Sequence, residues 1–434
     1  EVLARGDGRV LVLAPTRPLA QQHAVSLRRF LRDPRGVELF TGGVPAGARA
    51  DAWAGARVVV STPQCVANDL GAGRYDASDV ALAVFDEAHR AVGDYAYVAV
   101  ARHYLEQRDE PLVLGLTASP GWERARVDEV LSNLGVAAVE ARTESDPDVA
   151  PWVQGTDVER VGVRLATRQV RARRALEEAL TARVNRLKRA GFLRHRRKGE
   201  KASKKDVVRA GDGIRARLGS PGARRGPLFG ALLHQGAALH LVHLLELVET
   251  QGVAPALSYV ARLEADGEAK RSTRSLLADP LFRRGVDHLR RHEGPSHPKE
   301  DALVEVVREQ LERRPDSLVI VFSQFRDTIS CLMGRLGSEG VDARRFVGQA
   351  HREGDRGLSQ AEQVELLGSF RRREFNVLVA SSVAEEGLDV PSVDLVVFYE
   401  PVPSEIRAIQ RRGRTGRDSS GRMVVLVAEG SRDE

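Results

Sequence analysis

Cysteine is scarce: Cys65 and Cys331 are the only two among 434 residues, far apart and without Cys-x-x-Cys spacing. That excludes a disulfide framework and gives no indication of a zinc site, so both are expected to pack as small apolar side chains. No apolar run approaches the roughly eighteen residues of a membrane span, and no signal peptide opens the chain. A cytoplasmic location is the resulting expectation. Lysine is also rare, seven of 66 basic residues, a bias that codon usage explains and that carries no functional weight. What is present is ordinary for a soluble globular protein: 42% hydrophobic and 29% charged residues, on a chain long enough for two or three domains.

The net charge of +6 hints at a polyanionic partner only weakly until its distribution is read. From Arg183 to Arg225 sixteen Lys or Arg stand against three acids, so this stretch alone exceeds the net charge of the chain. Phe192 is its only Phe, Tyr or Trp, which argues against base stacking and for phosphate contact with duplex arms. Arg194, Arg196, Arg197 and Lys198 are the candidate contacts. The competing reading is a disordered basic loop, since seven glycines from Gly191 to Gly226 punctuate the stretch.

The apolar run Val80–Phe85 reads as a buried parallel strand that delivers Asp86 and Glu87 to its C-terminal end, where open α/β sheets place their ligands. Asp86 there suits Mg²⁺ coordination, and Glu87 suits activation of the water that attacks a γ-phosphate. His89 would report the state of that phosphate. An isolated Asp-Glu-Ala-His reads equally well as a solvated turn after a strand, so its surroundings decide.

Those surroundings alternate strands and helices. Strands are expected at Arg9–Ala14, Val37–Phe40, Arg57–Ser61, Val80–Asp86, Pro111–Leu116 and Val136–Glu140, with helices in the intervals, the rhythm of a parallel sheet. The loops that follow carry Pro15-Thr16-Arg17, Thr41-Gly42-Gly43, Thr62-Pro63-Gln64 and Thr117-Ala118-Ser119. Small hydroxyls and glycine-exposed N–H groups at helix starts suit backbone phosphates, although any one Thr or Ser can simply cap its helix. Residues 298–434 repeat the rhythm and end in Gln410–Arg417, where arginines separated by glycines suit a loop reaching a phosphate in a neighbouring domain. Between them residues 143–297 lose strand character and read as a helical insertion. His234, His240 and His243 lie on or near its most apolar helix, where packing accounts for them better than a metal does.

Taken in order, Pro15-Thr16-Arg17, Thr62-Pro63-Gln64, Asp86-Glu87-Ala88-His89, Thr117-Ala118-Ser119, Val321-Phe322-Ser323-Gln324, Ser381 through Asp389 and Gln410 through Arg417 resemble superfamily 2 helicase motifs Ia to VI. Phe85–Tyr97, Arg345–Gln349 and Val396–Pro403 are similar to the archaeal Hef helicase and the Fanconi anaemia group M translocase. The resemblance implies an α/β fold of two RecA-like parallel-sheet domains, 1–142 and 298–434, flanking the insertion, and an ATP- and Mg²⁺-dependent motor on forked or branched DNA in fork repair. It implies γ-phosphate contacts from Gln410, Arg414 and Arg417, and a nucleotide cleft lined by Gly387 and Asp389. Thr16, Arg17, Gly42, Gly43, Thr62, Gln64, Ser323 and Gln324 would grip the nucleic-acid backbone, and Thr117 and Ser119 would couple the two events. A double-stranded RNA substrate and a nucleotide-independent scaffold are the alternatives.

Two departures qualify the resemblance. No Gly-Lys-Thr or Gly-Lys-Ser occurs anywhere, so the phosphate-cradling loop of motif I is missing. The expectation is a fragment whose motif I lies upstream and which is inactive alone. No clustered acids follow Arg422, so a nuclease is not expected in this chain and would come from a C-terminal part or a partner.

Overall fold

The computed structural model describes residues 3, 8–118, 123–143, 146–150, 156–193, 203–222, 224–266, 270–349, 355–381, 393–401 and 421–434. The first domain alternates β1 (Arg9–Leu13), α1 (Arg17–Phe30), β2 (Val37–Phe40), α2 (Ala46–Gly55), β3 (Val58–Ser61), α3 (Pro63–Gly71), β4 (Val80–Asp86), α4 (Ala96–Gln107), β5 (Val113–Leu116) and α5 (Arg124–Leu134). Its five strands are parallel in the order β2-β3-β1-β4-β5. β1 and β3 are buried along their whole length, as strands covered on both faces must be, hence their unbroken apolar runs. β5 is an edge, with Leu114 and Leu116 exposed.

The chain leaves β1 toward β2 and leaves β4 toward β5, on opposite sides. The crevice between the ends of β1 and β4 is therefore the topological switch point, where such sheets bind ligands.

The expected strand Val136–Glu140 does not form. Gly135 takes a left-handed conformation (φ +66°) and the Val136 N–H bonds back to Leu131, so these residues close α5 instead. The strand appears later, as β6 (Thr156–Val163), and it belongs to the second sheet although it falls inside the expected insertion of 143–297. Its partner, the strand Gly421–Ala428, lies some 265 residues on, a pairing that no local pattern reveals.

The insertion consists of α6 (Thr167–Arg189), α7 (Lys204–Leu218), α8 (Arg225–Glu246), α9 (Val253–Ala265), α10 (Arg271–Leu277) and α11 (Pro280–Arg290). α7 is an ordered helix within the glycine-punctuated stretch for which a disordered basic loop is the competing reading. Ser203 and Asp206 form a capping box, and Val207, Ala210, Gly211 and Ile214 bury one face. Gly211 is where Gln235 of α8 approaches, within 2.6 Å of the place a Cβ would take. α8 continues through a π-helical turn, Leu247–Gln251. The whole stretch Arg225–Gln251 is long and apolar enough to cross a membrane, contrary to the expectation from the sequence. It serves as the central core helix, with Leu241, Leu244 and Leu245 fully buried. His240 is held between Tyr259 (2.6 Å) and Thr273 (3.3 Å), and His243 packs edge-on against Tyr259.

The second domain runs α12 (Pro298–Arg313), β7 (Val319–Phe322), α13 (Arg326–Ser338), β8 (Ala343–Phe346), α14 (Gln360–Arg371), β9 (Val377–Ala380), β10 (Leu395–Phe398) and β11 (Gly421–Ala428). The sheet order is β6-β11-β10-β7-β9-β8, all parallel. Read from the other edge it repeats the first sheet strand for strand, with β6 added. The switch point again lies between the first strand, β7, and the fourth, β10.

A buried polar seam joins the insertion to this domain. The Lys299 ammonium, with no exposed surface, donates to Asp433 (2.7 Å) and to the Tyr399 carbonyl (2.8 Å). Arg432 pairs with Glu249 of the π-helical turn (2.7 Å), and Thr328 donates to Gln251 (2.8 Å).

Candidate nucleotide and nucleic-acid site

β4 carries Asp86 to the switch point, and the chain then turns sharply. Glu87 adopts a left-handed conformation (φ 51°, ψ 48°), which is costly for a residue with a Cβ and is tolerated where surrounding structure enforces it. The Tyr97 hydroxyl supplies enforcement by donating to the carbonyls of both Asp86 (2.6 Å) and Leu13 (3.2 Å). It thereby staples the ends of β4 and β1. Burial pushes that hydroxyl far above its ordinary pKa, so it stays a donor.

The turn brings four expected residues together. The Asp86 carboxylate accepts from the Glu87 N–H (3.0 Å) and lies 2.8 Å from His23 Nε2 of α1. His89 Nδ1 lies 3.3 Å from Glu87 Oε2 and 3.0 Å from Thr117 Oγ1 at the end of β5. Glu87 Oε2 is buried and accepts no hydrogen bond among the described residues. A cavity of about 1100 Å³ opens beside the cluster, lined by Val12, His23, Val84, Asp86 and Leu116 among others. Two carboxylates, one with a buried oxygen that meets His89 at 3.3 Å without a formed hydrogen bond, fit a hard cation with its water shell, and Asp86 would hold Mg²⁺ there.

The loops after β1, β2 and β3 lie along the same edge. Thr16 caps α1, its Oγ1 accepting from the Leu19 N–H at 3.4 Å. Thr62 does not cap α3; its hydroxyl meets Cys65 Sγ at 3.3 Å. The exposed Arg17 guanidinium reaches over to Gly43, where a Cβ would lie 3.5 Å from it. Gly42 is exposed beside it, and Gln64 is taken up in a surface bond to Asn68 (3.0 Å).

In the second domain Ser323 is fully buried, and its Oγ accepts from the Phe325 N–H at 3.4 Å. Its place directly after the buried strand β7 accounts for that burial. The Gln324 N–H donates to Glu400, which follows β10, and so bridges the second switch point.

Gly387, Asp389, Gln410, Arg414, Arg417, Ser119, Arg194, Arg196, Arg197 and Lys198 lie outside the described residues. Sequence reasoning missed Tyr97 and His23. Tyr97 stands in the Asp-Glu-Ala-His neighbourhood, but its function as a staple is visible only once β1 and β4 are known to be adjacent.

Three family models match the chain. They are the DEAD/DEAH box helicase over residues 2–127, a helical bundle provisionally named for ATP-dependent RNA helicases over 168–294, and the helicase conserved C-terminal domain over 299–419. Among curated relatives, MJ1505 of Methanocaldococcus jannaschii, provisionally named an ATP-dependent RNA helicase, is 37% identical over all of this chain and 54% of its own length. The ATP-dependent DNA helicase mph1 of Neurospora crassa is 31% identical over 98% of this chain and 38% of its own. The Fanconi anemia group M protein of Gallus gallus is also 31% identical, over 98% and 23%. The chain thus spans from about a quarter to about half of these relatives. The crystal structure of the Pyrococcus furiosus Hef helicase domain is 45% identical, with a TM-score of 0.71, over 98% of this chain and 88% of that one. Two RecA-like domains with a helical region between them, and this degree of likeness to a domain matched nearly end to end, place the chain in the Hef and Fanconi anaemia group M family of superfamily 2 helicases.

Proposed function

We propose that the chain is the motor portion of an ATP-dependent helicase or translocase that acts on forked or branched duplex DNA in replication-fork repair, in a cytoplasmic setting. The observation that carries this reading is the cluster of Asp86, Glu87, His89 and Thr117 at the switch point. Asp86 would hold Mg²⁺, which when bound would neutralise developing phosphate charge. Glu87 accepts a proton from the attacking water, and its Oε2, which accepts no hydrogen bond among the described residues and has His89 3.3 Å away, is the atom suited to do so. His89 passes a change at Glu87 to Thr117, and so to the loop after β5, at the same end of the parallel sheet as the backbone-facing loops. Gln410, Arg414 and Arg417 complete the γ-phosphate contacts from the second domain, with Gly387 and Asp389 lining the cleft. The 434 residues contain no Gly-Lys-Thr or Gly-Lys-Ser, so hydrolysis by this chain alone is expected to be negligible without the cradle that motif I supplies.

The DNA reading draws support from the relatives named as DNA helicases. The RNA names attached to MJ1505 and to the helical-bundle model favour a second reading, an RNA duplex as substrate. Strand displacement by the full-length protein on forks of DNA and RNA with matched base sequence separates them, because the 2′-hydroxyl and the A-form duplex distinguish the two. The basic stretch is tested by salt titration on a fork, a plain duplex and a single strand. Neutralising Arg194, Arg196, Arg197 and Lys198 together should flatten the slope of log K against log salt on the fork by up to about 0.9 per lost contact. Identical slopes and affinities on all three substrates would remove that stretch from the interface.

A further inference from the structure

We infer that Arg49 and Asp69 are positioning residues that set the distance between two loops of the first domain, Thr41–Val44 and Thr62–Gln64. The inference rests on the proposed assignment of these loops to the nucleic-acid backbone.

Both loops leave adjacent strands. Phe40 at the end of β2 is in register with Ser61 at the end of β3, and the Phe40 carbonyl accepts from Ser61 Oγ (3.0 Å) and the Thr62 N–H (3.3 Å). The strand ends therefore hold the near side of the loops. The far side is held by Arg49. It sits in the first turn of α2, which begins two residues after Val44, and is 7% exposed. Its guanidinium spans the gap: Nη1 donates to the Val44 carbonyl, while Nε and Nη2 each donate to one oxygen of Asp69 at 2.7 Å. Asp69 is fully buried near the end of α3, the helix that starts directly after Thr62. It also accepts from Arg74 (3.1 Å) and from the Tyr75 hydroxyl (3.1 Å). Burial alone would raise the Asp69 carboxyl, but the bonds and charge of Arg49 outweigh it and hold the group below its ordinary range.

Stability alone is a poor reason for such a pair. Desolvation of two charges cancels much of their attraction, and packed apolar side chains of equal volume often serve a core as well or better. What a forked, planar guanidinium adds is geometry: three bonds to two elements fix both the separation and the orientation of those elements. Here the two elements end in the loops that carry Gly42, Gly43 and Thr62. Arg17, reaching over Gly43 from the first loop, joins all three into one edge.

The test compares affinity for a forked DNA, by fluorescence anisotropy at fixed salt, with melting temperature in the full-length protein. Arg49→Lys keeps the charge and loses the fork; Asp69→Asn keeps the shape and loses the charge. Each is expected to weaken binding at least about fivefold at a temperature where the variant is folded. Tyr75→Phe removes a bond to the same carboxylate without touching either loop, and is expected to lower the melting temperature while leaving affinity within about twofold. Arg17→Ala and Thr62→Val report on the loops themselves. If these two weaken binding while Arg49→Lys and Asp69→Asn stay within twofold of the parent, the positioning role is overturned. If Arg17→Ala and Thr62→Val change nothing, the backbone assignment fails and the inference falls with it. Failure of both Arg49→Lys and Asp69→Asn to fold would make the pair a determinant of folding rather than of spacing, which also overturns it.

Discussion

His89 Nδ1 lies 3.0 Å from Thr117 Oγ1, linking the turn after β4 to the end of β5. The same nitrogen lies 3.3 Å from Glu87 Oε2, so one imidazole faces both the proposed water-activating carboxylate and the next strand. Thr117→Val keeps the shape and removes the hydroxyl. In the full-length protein it should cut strand displacement per ATP hydrolysed by about fivefold while kcat for hydrolysis changes less than about twofold. Equal losses in both would assign Thr117 to the chemistry rather than to coupling.

Tyr97→Phe leaves the carbonyls of Leu13 and Asp86 without their shared donor. A loss of about 1–3 kcal/mol is expected for buried acceptors left unpaired. Thermal or urea unfolding measures it. A variant as stable as its parent would show that the staple contributes nothing.

The buried pair of Lys299 and Asp433 joins α12 to the end of the chain. Asp433→Ala strands an ammonium that has no exposed surface, and should cost about 3–5 kcal/mol. Pairing Lys299→Met with Asp433→Asn removes the charges and keeps an acceptor for the Ala428 N–H, which Asp433 also binds. That double variant should recover most of the loss in urea unfolding. A double variant no more stable than Asp433→Ala would count against the charge as the cause.

Glu300, buried in the first turn of α12, has its carboxyl pushed up to about 7, chiefly by burial, with the charge of Asp301 adding to it and the Ser296 and His297 N–H groups and Arg335 opposing. Its Oε1 has no donor among the described residues. Because the folded value is raised, the fold favours the protonated form. The associated stability is fully present below the unfolded value near 4.5 and is lost as pH rises through about 7. Glu300→Gln should remove that loss, leaving the variant on the order of 2–3 kcal/mol more stable than the parent at pH 8 relative to pH 4. Parallel pH profiles for the two proteins would show that Glu300 does not carry the effect.

The two sheets were largely legible because parallel strands buried on both faces must be apolar throughout, and runs such as Val319–Phe322 and Val377–Ala380 can be little else. Asp86 and Glu87 were legible for a related reason: a carboxylate pair at the end of such a run has only the ligand-binding edge to occupy. β6 was not legible, since Thr156–Val163 mixes Asp, Glu and Arg with valine and finds its partner only at the far end of the chain. α7 was obscured by its glycines, although Ser203 and Asp206 at capping-box spacing were there to be read. The burial of Ser323 was not legible from its hydroxyl alone and follows from its place directly after a buried strand. Arg49 and Asp69 lie twenty residues apart on different helices, and nothing local pairs them.

The account stands most directly on Glu87. DNA-stimulated ATP hydrolysis should be measured in the full-length protein and in its Glu87→Gln variant, with ATP binding followed separately and the 434-residue chain assayed alongside. The account predicts a fall of at least about 100-fold in kcat for Glu87→Gln with ATP binding retained, as loss of a positioned general base requires. It also predicts no DNA-stimulated hydrolysis by the 434-residue chain. Stimulated hydrolysis that survives Glu87→Gln, or that the 434 residues sustain alone, would contradict it.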